Sequence, residues 1–130
     1  MTGDKVGEWF HVNSENAPVI IHDHPIVLSG ICSGDTNAPG WSLHLGTVNK
    51  NQPSGPRQFT RSIIFSQPFK YIPAVTISIQ TFDVDVLSKT SARIGVEAMA
   101  ITREGFTASF YTWFDTVVWG VRANWMAIGS

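Results

Sequence analysis

Tyr111, Trp113 and Trp119 place three large aromatics within the nine residues "YTWFDTVVW", beside Phe114 and Asp115. Such a stretch either crosses a hydrophobic core or leaves flat ring surface exposed for a ligand to stack on. Upstream, Arg93 offers a five-donor fork suited to oxygen-rich partners, the plain alternative being a solvated strand arginine. His22-Asp23-His24 has residue types that ligate transition metals, and in an extended segment its two imidazoles share a face. Two ligands do not make a metal site, and an exposed polar stretch accounts for the triplet equally well. Ser, His and Asp are present, but no motif joins a nucleophile to a base and no carboxylate pair has a cleft pattern. The reading is therefore no enzyme and no cofactor.

The elements that must hold these residues have the period of strands. From Pro25 onward, "PIVLSGICSG" reads as a first strand, followed by turn chemistry in "GDTNAPGW". "NKNQPSGPR" (49–57) reads as a polar loop. In "RSIIFSQPF", Ile63 and Phe65 share a face; in "AVTISIQTFDV", Val75, Ile77 and Ile79 alternate with Thr76, Ser78 and Gln80. "ARIGVEAMAIT" puts Ile94, Val96, Ala98 and Ala100 on one face, opposite Arg93, Glu97 and Met99. "REG" (103–105) reads as a hairpin connection whose glycine can take positive φ.

In "FTASFYTWF", Phe106, Ala108 and Phe110 take the core side. Thr107, Ser109, Tyr111 and Trp113 then form a polar face ending in an exposed indole. Phe114 points the other way and Asp115-Thr116 makes the turn. The last strand carries Val121, Ala123 and Trp125 against Arg122 and Asn124. Trp119 shares the parity of Val121 and Trp125, a packing parity; Trp9, Trp41 and Trp125 read as packing residues. No segment of helical length has a 3.6-residue period, so short strands separated by turns indicate an all-β sandwich.

Composition narrows the partners. The 130 residues fit one domain, and charged residues are only 15 %, against about a quarter in an average soluble chain, which favours surface hidden in an oligomer. The net charge is −1 without a basic cluster, so nucleic acid has little electrostatic basis. No apolar run approaches the roughly 20 residues of a membrane span, and no apolar h-region marks a secretory leader. The one cysteine, Cys32, excludes an internal disulfide and reads as a reduced, partly buried thiol.

The ordered set Phe65, Pro68-Phe69, Pro73, Arg93, Gly105-Phe106, Tyr111-Thr112-Trp113, Thr116 and Trp125 resembles the H-type lectin domain, over residues 26–130. "SGICSGDTNAPGW" resembles that family's opening cysteine and Gly-Trp element. The resemblance implies a six-stranded antiparallel β-sandwich, assembled as a trimer or hexamer. It also implies shallow intersubunit sites for galactose or N-acetylgalactosamine, with no metal. Residues 1–25 then become an N-terminal extension, an edge strand or an oligomerisation segment.

Carried over by motif, the family's site arginine falls on Arg93, its site tryptophan on Trp113, and a later site aromatic on Trp119. Two positions depart. Phe114 stands where relatives have histidine, and the loop before "RQFTR" has no acid, so the site aspartate is matched by Ser54 or its neighbours Asn51 and Gln52. Asp115 is a candidate carboxylate from another direction. The disulfide partner that the resemblance implies for Cys32 falls on Phe110, so packing replaces that bond, which favours folding without an oxidising compartment. These features point to a glycan-binding protein acting outside cells or at a cell surface. The rival reading is an attachment module, such as a fibre tip or an accessory domain of a larger enzyme.

Overall fold

A computed structural model describes residues 25–45, 54–87 and 89–130. The His22-Asp23-His24 triplet, Trp9, Asn51 and Gln52 lie outside the described residues. Six strands follow in chain order: β1 (Ile26–Asp35), β2 (Ser54–Ile64), β3 (Ala74–Val86), β4 (Ile94–Met99), β5 (Gly105–Phe114) and β6 (Thr116–Gly129). They form two three-stranded sheets, β1-β6-β3 and β2-β5-β4, and every pairing is antiparallel. Among the described residues none is helical. The β-sandwich read from the strand period is the architecture observed.

The core lies between the inner faces of the two sheets. Phe59, Phe106, Ala108 and Phe110 come from one sheet and Val121, Ala123 and Ala127 from the other; Trp41, Leu43, Phe65 and Phe69 arrive from connections. Val75, Ile77 and Ile79 pack against this cluster on the β3 face that their alternation marks. Trp125 stands 5.4 Å from Phe106 and 5.8 Å from Phe65, and Trp41 stands 5.0 Å from Phe59, so both tryptophans pack as expected. Cys32 is a free, buried thiol in the same cluster as Phe110. Desolvation raises the thiol pKa, and the charge of Arg61 lowers it by less.

Several local expectations are corrected. β2 begins at Ser54, inside the stretch read as loop, and reaches regular pairing only after a register shift between Ser54 and Arg57. Ala100 lies beyond β4 and adopts φ 49°, so the left-handed backbone of the β4–β5 connection falls on it and not on Gly105. Glycine at 105 serves close approach instead: a Cβ there would overlap the Ile63 carbonyl. Asp115 alone joins β5 to β6, and Thr116 already belongs to β6. Because β5 and β6 lie in different sheets, this one residue turns the corner of the sandwich.

Candidate functional site

Residues 111–113 continue the alternation of β5. Thr112 is buried with its hydroxyl donating to the Arg93 carbonyl, whereas Trp113 is 41 % exposed. The ring of Trp113 stacks on Tyr111 at 6.1 Å and 21°, so two aromatic faces stand together on the outer side of the β2-β5-β4 sheet. Tyr111 fits there because its cross-strand partner is Gly95, where a Cβ would overlap the phenol ring. Ser109, on the same face, is fully buried rather than solvated, and accepts from Gln58 Nε2 at 2.7 Å.

Arg93 sits one step before the Ile94–Thr112 pair, which brings it level with Trp113 on the neighbouring strand. Its backbone N–H donates to Thr116 Oγ1 at 2.9 Å, and its Nη1 donates to the Ser91 carbonyl at 3.0 Å. The same Nη1 reaches Asp115 Oδ1 at 3.3 Å. Asp115 is 3 % exposed, so its carboxylate is an internal partner of Arg93 and is not presented to solvent. The guanidinium also lies 4.8 Å above the Phe114 ring, a cation–π contact.

Phe114 has φ 60°, left-handed backbone that a bulky side chain rarely adopts. That twist breaks the strict alternation of β5 and leaves the Phe114 ring 39 % exposed, near the 41 % of Trp113, instead of turning it into the core. Ser54 stands opposite Phe114 in the β2–β5 register, so the position matched to the missing acid borders the same corner.

Trp119 departs from its parity. A register shift between Asp83 and Val84 leaves it as the extra residue between the Gly120–Asp83 and Val118–Val84 pairs. This bulge turns the indole outward, 41 % exposed, while Val118 and Val121 remain buried. Its ring neighbour is His44, at 6.1 Å.

One residue that sequence reasoning missed organises this end of the sandwich. Arg57 donates to five carbonyls: Gly55 at 3.1 Å, Leu43 at 3.3 Å, Leu45 at 3.1 Å, Thr116 at 3.0 Å and Phe114 at 2.7 Å. One guanidinium thereby ties the segment after β1 and the start of β2 to the β5–β6 corner, and burial pulls its pKa below the ordinary arginine value. The segment after β1 is sewn to β6 a second time, by Val118 N–H to Leu43 carbonyl at 3.0 Å and Trp41 Nε1 to Val118 carbonyl at 3.0 Å. His44 is fixed by these bonds beside Trp119, with its Nδ1 buried and without a hydrogen-bond partner among the described residues. Nothing in the sequence separates Arg57 from any other arginine of a polar stretch; its role appears only when five carbonyls converge on it.

Arg93, Phe114 and Asp115 are thus in direct contact, and Trp113 and Ser54 border them. Trp119 stands apart beside His44. The arrangement pairs exposed aromatic faces with a cation oriented by a buried carboxylate. Among the described residues no group of three or more His, Cys, Asp or Glu side chains could hold a metal ion, and no helix is long and apolar enough to cross a membrane.

The H-type lectin domain model matches residues 60–128, from β2 to the end of β6. A protein described as "ATP synthase subunits region ORF 7", from Fuscovulum blasticum, is 43 % identical over 77 residues, covering 59 % of this chain and 65 % of that protein. Discoidin-1 of Dictyostelium discoideum is 35 % identical over 78 residues, covering 59 % of this chain and 30 % of that protein. Among solved structures, discoidin II of Dictyostelium discoideum superposes with a TM-score of 0.68 at 26 % identity, over 85 % of this chain and 39 % of that one. The matches therefore span at most about two thirds of the length of these relatives. With the family model covering β2 to β6 and the same sandwich in discoidin II, this chain belongs to the H-type lectin domain family.

Proposed function

We propose that this chain is a carbohydrate-binding lectin for galactose or N-acetylgalactosamine-type glycans, working as a trimer or hexamer with shallow sites at the boundaries between protomers. The observation that carries the reading is the exposed Trp113 indole, stacked on Tyr111 and level with Arg93. The apolar face of a pyranose lies on such a ring, and guanidinium donors orient its hydroxyls. Phe114 and the Ser54 edge complete this contact surface, Trp119 adds a separate ring beside His44, and Asp115 acts through Arg93. The function is binding rather than catalysis, and it is exercised at a cell surface or outside cells.

Association is supported by the outer face of β1-β6-β3, where Val27, Ile31 and Met126 are 55 %, 58 % and 46 % exposed. An open site makes each contact weak, and several sites on one assembly acting on one glycosylated surface raise avidity. A glycan array on the oligomer, run beside Trp113→Ala, tests the proposal. Binding of terminal galactose-type glycans that Trp113→Ala abolishes is expected; an array blank for every glycan sinks the lectin reading.

A further inference from the structure

The outer face of β1-β6-β3 changes character along its length. Rows of paired residues run from Val27, Met126 and Ile31 at one end to two polar rows at the other. The first polar row is Ser33–Arg122–Thr81, and the second is Asp35–Gly120–Asp83. Partners in an antiparallel row point to the same side, so Asp35 and Asp83 flank Gly120 on the surface. Without a side chain at 120, the centre of that row is an open floor; a Cβ there would lie 3.4 Å from the Asp35 Cβ. The result is a depression of about 300 Å³.

The charges here are not neutralised by one another. Among the described residues no ion pair joins Arg122 to Asp35 or Asp83, and Asp35 Oδ1 accepts only the Asn37 N–H at 2.8 Å. Two carboxylates that accept, one guanidinium that donates, and hydroxyls on Ser33 and Thr81 surround one hollow. A sugar hydroxyl both donates and accepts, so vicinal hydroxyls match this alternation. A divalent cation fits less well, since two carboxylates fall short of the oxygen count that calcium requires.

We propose that this depression is a second saccharide-binding subsite, in which Asp35 and Asp83 accept from vicinal hydroxyls and Arg122 donates to a ring or hydroxyl oxygen. It shares no residue with the Arg93–Trp113 surface and stands independently of that reading. The test is a set of amide-resolved NMR titrations of the intact chain with galactose, N-acetylgalactosamine and mannose. Wild type is compared with Asp83→Asn, Arg122→Gln and Trp113→Ala, with a calcium chloride titration as control. Both depression variants alter exposed side chains, so their spectra report binding in a folded protein.

Shifts at Ser33, Thr81 and Gly120 that vanish in Asp83→Asn or Arg122→Gln but persist in Trp113→Ala support the subsite. The same result without any shift at Arg93 or Trp113 supports the subsite and overturns the proposed primary surface. Shifts confined to Arg93, Trp113 and Phe114 overturn the subsite and leave the primary surface standing. Shifts at the depression produced by calcium alone, with none from sugar, overturn it in favour of a cation. Silence with every sugar overturns both.

Discussion

Tyr111 lies across the α-carbon of Gly95, its cross-strand partner, in space that any side chain at 95 would fill. The Tyr111 ring is the surface on which Trp113 stacks, so an absent side chain on β4 sets the tilt of an exposed indole on β5. Gly95→Ala is expected to lower stability by about 1–3 kcal/mol through overpacking. On the proposed reading it is also expected to weaken glycan binding, although Gly95 has no side chain to reach a sugar. Chemical denaturation and calorimetric titration check the two effects; wild-type values in both would refute the link.

Arg57 is expected to be a stability residue whose loss is felt at the corner. Arg57→Met leaves five carbonyls without their shared donor, and unsatisfied or rehydrated groups of this kind put the cost at about 2–4 kcal/mol. Arg57→Lys should recover less than half, because an ammonium cannot span the same fork. Urea melts decide it, and a lysine variant as stable as wild type would argue against the five-way clamp.

The Arg93–Asp115 pair should show strong coupling. Removing Arg93 alone deprives a carboxylate that is 3 % exposed of its guanidinium, a loss of roughly 2–4 kcal/mol. Arg93→Met combined with Asp115→Asn should cost less than the sum of the single changes. A double-mutant cycle with coupling near zero would mean that the buried acid relies on its other partners.

Phe114 is expected to tolerate glycine. The left-handed backbone costs a non-glycine residue about 1–2 kcal/mol, and the exposed cation–π contact with Arg93 contributes about 0.5–1 kcal/mol. Phe114→Gly should therefore stay within about 1 kcal/mol of wild type, which thermal unfolding measures. A large loss would show that the ring carries more than that contact.

Cys32 should resist alkylation in the folded chain and react on unfolding, since burial raises its pKa and denies access to reagents. The sign follows from proton binding. Above the thiol's ordinary range the unfolded state loses its proton first, so stability declines as pH rises through that window. A Cys32→Ala variant should lack this alkaline decline. Rapid labelling of the native protein at neutral pH would contradict the burial.

Much of this was legible because period-2 patterning survives wherever a strand is regular. Phe106, Ala108 and Phe110, and Val75, Ile77 and Ile79, took the faces their alternation implies. The failures cluster where regularity breaks. Trp119 has core parity but sits in a bulge, Phe114 twists at positive φ, and Ala100, not Gly105, takes the left-handed turn. Each is a local backbone decision made by tertiary contacts, which no side-chain alternation records. Asp115 was legible as a carboxylate near the site but not as a buried one, because burial at a corner depends on which strands meet there.

The single-residue passage at Asp115 limits how such a protein can diversify. A longer connection there would slide β5 against β6, misalign Arg57 with two of its carbonyls and detach Arg93 from its acid. Loop length is therefore fixed by the fold at this end of the sandwich. On the proposed glycan-binding surface, variation is left to the outward rings at 113, 114 and 119, with the corner as a fixed socket for interchangeable side chains.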